Sequence, residues 1–195
     1  MDFDPIEKYG GVGPEVDWKS GYIVAMQHPE TNRYKQAKAD VQQTLKAVHE
    51  LNIPTFWFWP NVDSGADGTS NGIRSYRELQ QPGNIHFFKN MEPLDFLKLL
   101  VNSKGLVGNS SAGIRECAYL GVPVVNIGNR QYRRERAKNV CDVNYDSEAI
   151  KNAILKQMEA KSYPGESMYG DGEAGLRIAD ILATAVLNYF KTITY

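Results

Sequence analysis

The chain has 195 residues, enough for one domain with a sizeable core, and its 22 basic and 23 acidic residues leave a formal charge of −1. So balanced a charge provides no global field for nucleic acid or for an anionic membrane surface. No stretch approaches the roughly 18 consecutive apolar residues of a membrane span, and the start, MDFDPIEKYGG, is acidic and Gly-rich where a secretory leader is basic and then apolar. A cytoplasmic protein is the expectation.

Residues 1–20 show no hydrophobic period and read as a linker or N-terminal arm ahead of a single domain over 21–195. A first strand is predicted at 22–27, and Tyr34, Ala37, Val41, Leu45 and Val48 then recur at steps of three and four residues, as on a helix face. The aromatic run at 55–59 is a second strand, with Trp57, Phe58 and Trp59 assigned to the core. Ile73, Tyr76 and Leu79 mark a shorter helix, 85–89 a third strand, and Phe96, Leu97, Leu99 and Leu100 a helix from about 92 to 103. A strand at 105–108 leads into a helix from 110 to about 120, which Gly121 stops, and a further strand follows at 122–127. A short strand near 140–143, a helix at about 147–160, a loop at 161–172 and a long amphipathic helix to about 192 complete the chain. That last helix carries Leu176, Ala179, Ile181, Leu182, Val186 and Leu187. Cys117 and Cys141 sit in apolar runs and read as buried free thiols.

Strands alternating with helices predict an α/β fold, a Rossmann-like parallel sheet of about six strands with helices on both faces. Sheets of this kind bind ligands beyond the carboxyl ends of their strands. The noteworthy residues fall there. His28 ends the first strand, Asn61 and Asp63 follow the second, Ser110 and Ser111 the fourth, and Gly128 to Arg130 the fifth.

The junction at 106–131, LVGNSSAGIRECAYLGVPVVNIGNRQ, runs an apolar strand straight into a helix start made of small and hydroxyl-bearing residues. Four unpaired N–H groups and the positive end of a helix dipole then face the space above the sheet. Ser110 and Ser111 both cap and donate, and Gly113 lets a ligand approach the backbone. A phosphate or pyrophosphate suits such a place, although a Ser-capped helix without any ligand has the same pattern. Arg130, after a strand-end Gly-Asn turn, has the geometry to fork onto a phosphate. Its neighbours Arg133, Arg134 and Arg136, with Arg115, read as a solvated charged face.

GNSSAGIRE followed by GVPVVNIGNRQYRRE resembles the C-terminal half of the hydrolysing UDP-N-acetylglucosamine 2-epimerases, one half of a GT-B fold. The likeness extends upstream through His28-Pro29 and FWPNVDSG and downstream into YGDGEAGLRIADIL, covering nearly everything beyond residue 20. Non-hydrolysing relatives resemble Asp-Ser-Gly-Gly at the phosphate turn, where this chain has Asn-Ser-Ser-Ala-Gly. Pro29 stands where many relatives carry Arg.

The resemblance implies that the family's active-site histidine of this domain corresponds to His28, that Asn61 and Asp63 lie close to the sugar nucleotide, and that Phe96 packs near the uracil. It further implies that Glu116 accepts the ribose hydroxyls and that Ser110, Ser111, Gly113 and Arg130 hold the diphosphate. The implied ligands are UDP and a UDP-sugar, with no cofactor and no metal. The implied partner is an N-terminal domain that carries the catalytic carboxylates and has no counterpart in this sequence, so the chain alone is expected to be inactive. The donor domain of a GT-B glycosyltransferase, or a nucleotide-sugar-binding module without chemistry, are the other readings. Oligomeric state is left open, a homo-oligomer included.

Overall fold

Along each strand alternate residues point to opposite faces, and here both sets are mostly apolar, as a sheet covered on two sides requires. In the computed structural model, which describes residues 1–62 and 64–186, the strands are β1 Ile23–Met26, β2 Thr55–Phe58, β3 Ile85–Phe88, β4 Leu106–Gly108, β5 Val124–Ile127 and β6 Val140–Val143. All pair in parallel, in the order β3-β2-β1-β4-β5-β6. This is the Rossmann order, with its direction of winding reversed between β1 and β4. The helices are α1 Pro5–Tyr9, α2 Ala37–Leu51, α3 Ala66–Gln80, α4 Pro93–Val101, α5 Ser111–Ile114, α6 Glu116–Leu120, α7 Ser147–Ala160 and α8 Ala174–Thr184.

Ile23, Ala25, Trp57, Phe87, Val107, Val125 and Ile127 face α2, α3 and α7, where Val41, Leu45, Ile73, Ile150 and Ile154 complete one core. Val24, Phe56, Phe58, Phe88, Leu106 and Val124 face the other way, against Leu99 and Leu100 of α4 and Cys117 of α6. Trp57 and Phe58 are buried and Trp59 half-buried, so the aromatic strand is core. Both cysteines are free thiols, Cys117 buried and Cys141 half-buried, and burial pushes the Cys117 thiol up. No described helix is long and apolar enough to cross a membrane.

Four elements depart from expectation. Tyr34 lies in a 3-10 turn over Thr31–Gln36, and α2 starts only at Ala37. Helix α3 is longer than its apolar period implies, because its first half is a glycine-rich contact with α2. A Cβ at Gly72 would sit 2.4 Å from Val41 Cγ1 and 3.0 Å from the Lys38 carbonyl oxygen. A search for apolar repeats cannot see a contact made by an absent side chain. The single helix expected over 110–120 is two, α5 and α6, broken at Arg115 with φ −100° and ψ −70°. Helix α8 runs from Ala174 to Thr184, and the expected continuation from Leu187 onward lies outside the described residues.

The first twenty residues carry structure of their own. Asp4 caps α1 by accepting from the N–H groups of Ile6 and Glu7. Val12 then pairs antiparallel with Phe87, each N–H donating to the other's carbonyl at 2.9 Å. The His86 ring holds the same segment, with Nδ1 and Nε2 each 2.9 Å from a carbonyl oxygen, of Pro14 and of Gly10. Lys8 and Tyr9 donate to Asp95 of α4 at 2.6 and 2.5 Å. The segment thereby covers part of the otherwise open edge of β3.

Candidate functional site

At the switch point between β1 and β4 the two strands run on into loops that are tied together by one side chain. Gly108 ends β4 at φ +131°, and a Cβ there would lie 2.0 Å from the Met26 carbonyl oxygen, so only glycine admits this approach. Asn109 follows, wholly buried. Its Oδ1 accepts the His28 N–H at 2.7 Å, and its Nδ2 donates to the His28 carbonyl at 2.9 Å. Its own carbonyl accepts from Gln131 Nε2 at 2.8 Å and from Arg130 at 3.3 Å. The loops after β1, β4 and β5 are thus knit by one residue.

His28 is buried, and the Asn61 N–H donates to its Nδ1 at 3.1 Å. A backbone N–H can only donate, so the neutral ring carries its proton on Nε2. Asn61 itself is exposed, and its contribution to His28 comes from its backbone. Asp63 lies outside the described residues.

Glu30 is a second knot. Its Oε1 accepts from the Asn129 N–H at 2.6 Å and from the Tyr145 hydroxyl at 2.8 Å. Asn109 Nδ2 also donates to the Tyr145 hydroxyl, at 3.3 Å. Burial, together with the Glu30 carboxylate, pushes the Tyr145 phenol far above its ordinary range, so it stays a donor. Arg33 lies over the Tyr145 ring at 5.3 Å and donates to Asp40 at 3.1 Å.

The helix start after β4 is less open than its sequence implies. The N–H groups of Asn109, Ala112 and Gly113 go to the Met26 carbonyl, Ser110 Oγ and the Ser110 carbonyl. Ser110 is therefore the cap, and α5 is a single turn with little dipole to offer. The hydroxyls of Ser110 and Ser111 remain as groups that can turn to an anion. Gly113 has a packing role. A Cβ there would meet Val124 Cγ1 at 2.9 Å and Leu106 Cδ2 at 3.2 Å, so its smallness lets the turn pack closely onto the sheet.

Glu116 opens α6, half-buried, and its Oε2 is buried without a hydrogen-bond partner among the described residues. It lines a hollow of about 290 Å³ with Leu97, Tyr119 and Tyr169, which brings the YGDG segment beside the helix after β4. Phe96, half-buried, sets its ring edge-on to Phe58 at 5.3 Å. A second hollow of about 230 Å³ lies beyond β5 and β6, lined by Gly128, Asn129, Tyr132, Arg136 and Asn144. Arg136 is a staple here, donating to Asp142 at 2.7 Å and to the carbonyls of Gln131 and Arg134. Arg115, Arg133 and Arg134 are exposed, and Arg130 is half-buried. No cluster of His, Cys, Asp or Glu suited to a metal exists among the described residues.

Sequence reasoning therefore found His28, Ser110, Ser111 and Arg130 on one rim and missed Glu30, Asn109, Gln131 and Tyr145. Asn109 and Gln131 stood inside the GNSS and GNRQ motifs, and Glu30 two residues beyond His28. Tyr145 carried no signal at all, since its partner is 115 positions away in sequence.

A family model described as UDP-N-acetylglucosamine 2-epimerase matches residues 9–183. A UDP-N,N'-diacetylbacillosamine 2-epimerase (hydrolyzing) of Legionella pneumophila is 30% identical over 161 residues, covering 83% of this chain and 42% of that protein. A UDP-N-acetylglucosamine 2-epimerase of Neisseria meningitidis is 27% identical over 170 residues, 87% of this chain and 43% of the relative. The chain thus spans less than half the length of these relatives. Among solved structures, UDP-GlcNAc 2-epimerase from Neisseria meningitidis bound to UDP-GlcNAc superposes with a TM-score of 0.68 at 19% identity, over 87% of this chain and 46% of that one. A second structure, from Listeria monocytogenes, gives 0.62 at 17% identity, over 94% of this chain and 48% of that one. These likenesses show the same Rossmann-like half of a GT-B fold. With the match running over most of its length, the chain belongs to the UDP-N-acetylglucosamine 2-epimerase family.

Proposed function

We propose that this chain supplies the UDP-binding half of a hydrolysing UDP-N-acetylglucosamine 2-epimerase, which converts UDP-N-acetylglucosamine to N-acetylmannosamine and UDP. The observation that carries the reading is the meeting of His28, Ser110, Ser111 and Arg130 on loops locked together by Asn109 at the switch point of the sheet.

In the reaction a base removes the C2 proton while the C1–O bond to the diphosphate breaks, leaving a glycal and UDP. Water then adds across the double bond, its hydroxyl to C1 and a proton to C2, with the configuration at C2 inverted. Two demands follow: a base for a weakly acidic C–H, and stabilisation of the charge growing on the departing diphosphate. The second demand suits this chain. Ser110 and Ser111 donate hydroxyls, Arg130 a guanidinium, and His28 the Nε2–H that the Asn61 amide leaves as its donor. Glu116, half-buried at the start of α6, takes the ribose hydroxyls, and Phe96 borders the uracil. Asn61 and Asp63 border the sugar nucleotide. The base falls to carboxylates of an N-terminal domain outside these 195 residues, so turnover needs that domain. Gly113, packed against Val124, is not assigned a ligand contact.

Calorimetry of the chain with UDP, UDP-N-acetylglucosamine and UDP-N,N'-diacetylbacillosamine tests the reading. All three bind, with affinity coming mainly from UDP. Silence from all of them at millimolar concentration removes it. With the N-terminal domain supplied in trans or by fusion, N-acetylmannosamine release appears, and His28→Ala lowers kcat by about 10²–10⁴ while UDP binding falls much less.

A further inference from the structure

We propose that Glu30 is a positioning residue of the nucleotide site, one that holds Arg130 toward the phosphate turn without touching the ligand. The proposal rests on the UDP-binding reading.

Glu30 is only 5% exposed. A carboxylate at that depth, beside a site for an anion, costs free energy through desolvation and through repulsion of the ligand's charge. Its two hydrogen bonds offset that cost, and both are made by one oxygen. The Asn129 N–H at 2.6 Å belongs to the turn that directly precedes Arg130, and the Tyr145 hydroxyl at 2.8 Å belongs to the loop after β6. The turn is shaped to receive the carboxylate. Gly128 has φ +75°, and a Cβ there would lie 2.3 Å from Oε1 and 2.5 Å from the Tyr145 ring. With its N–H committed to Glu30, Asn129 fixes the direction in which the chain enters Arg130, whose guanidinium reaches the Asn109 carbonyl at 3.3 Å. Tyr145 closes the circuit by accepting from Asn109 Nδ2. One oxygen atom therefore links the loop that carries His28, the loop that carries Arg130 and, through Tyr145, the loop that carries Ser110. Glu30 acts through these contacts on Arg130, which is what separates positioning from binding.

Titration calorimetry with UDP on the wild-type chain, Glu30→Ala, Glu30→Gln, Tyr145→Phe, Arg130→Ala and the double variant Glu30→Ala/Arg130→Ala tests this, with thermal melts to show that each is folded. Glu30→Ala should weaken UDP roughly tenfold or more, the scale of a hydrogen bond to a charged group. Glu30→Gln keeps an acceptor oxygen and should bind within about twofold of wild type, while Tyr145→Phe loses about threefold. In the Arg130→Ala background Glu30→Ala should have no further effect, because the residue it positions is gone. A role in folding alone lowers the melting temperature and leaves UDP affinity and this coupling untouched, and that result overturns the proposal. So do losses that simply add in the double variant. Should Glu30→Ala not fold, Tyr145→Phe runs the same cycle with Arg130→Ala. A wild-type chain that ignores UDP overturns the reading beneath, whereas a wild type that binds and an Arg130→Ala that does not, beside an unaffected Glu30→Ala, overturns only this inference.

Discussion

The strand-end rim and helix α8 invert the usual distribution of side chains in opposite ways. On the rim, polar groups are buried: Glu30, Asn109, Gln131 and His28 are nearly inaccessible, Asn109 bonds His28 and Gln131, and Glu30 bonds the Asn129 N–H and the Tyr145 hydroxyl. On α8, apolar groups are exposed. Leu176, Ile178, Ile181 and Leu182 are each more than half accessible, and the helix buries no residue. Helix α7, of similar amphipathic pattern, buries Ile150, Ala153 and Ile154 against the sheet. Amphipathic pattern thus states that a face favours burial without saying whether a partner is at hand. A buried polar network states something stronger, because each member is costly unless all the others are in place.

The largest effect should come from breaking the rim. Asn109→Ala removes the side chain that accepts the His28 N–H and donates to the His28 carbonyl in the interior, at roughly 1–3 kcal/mol for each bond lost, or about 2–6 in all. Urea denaturation measures it, and a loss under about 1 kcal/mol would mean that water replaces the side chain freely. Next, the two helices can be compared directly. Ile154→Ala in α7 should cost about 2–5 kcal/mol through the cavity it leaves, and Ile181→Ala in α8, at 63% exposed, less than about 0.5 kcal/mol. Equal losses would show that α8 is packed in solution.

The rim's chemistry is tested by Ser110→Ala with Ser111→Ala. UDP should bind about tenfold more weakly, while loss of the Ser110 cap on the Ala112 N–H should cost about 0.5–2 kcal/mol of stability. Unchanged affinity would reduce both serines to caps. The smallest effect concerns the N-terminal segment. Hydrogen bonds from Lys8 and then Tyr9 hold the Asp95 carboxyl below the usual carboxylate range. A lowered folded value means stability that is present above the unfolded value of about 4 and is lost as pH falls through the folded one. Melting temperatures recorded from pH 7 downward should drop below about pH 4 in the wild type and less steeply in Asp95→Asn. Parallel curves would assign that acid loss to other carboxylates.

What the amino-acid sequence determined by itself is the order of elements and the side of the sheet on which His28, Ser110, Ser111 and Arg130 lie. Strands such as Thr55–Phe58 and Ile85–Phe88 are short apolar runs, and Ser147–Ala160 shows a clean helical period, because burial on one or two faces writes a local pattern. His28, Ser110, Ser111 and Arg130 could be placed on one rim for the same reason: a residue at the carboxyl end of a parallel strand has its position set by topology. Only the tertiary structure decided that α5 and α6 break at Arg115, that Gly113 and Gly72 serve packing, and that α8 leaves its apolar stripe in water. It also decided the partners of Glu30, since a hydrogen bond between residues 30 and 145 leaves no periodicity in either neighbourhood. Local sequence encodes what each segment would bury, whereas long-range contacts, and glycines that matter by what they lack, are settled only when the segments meet.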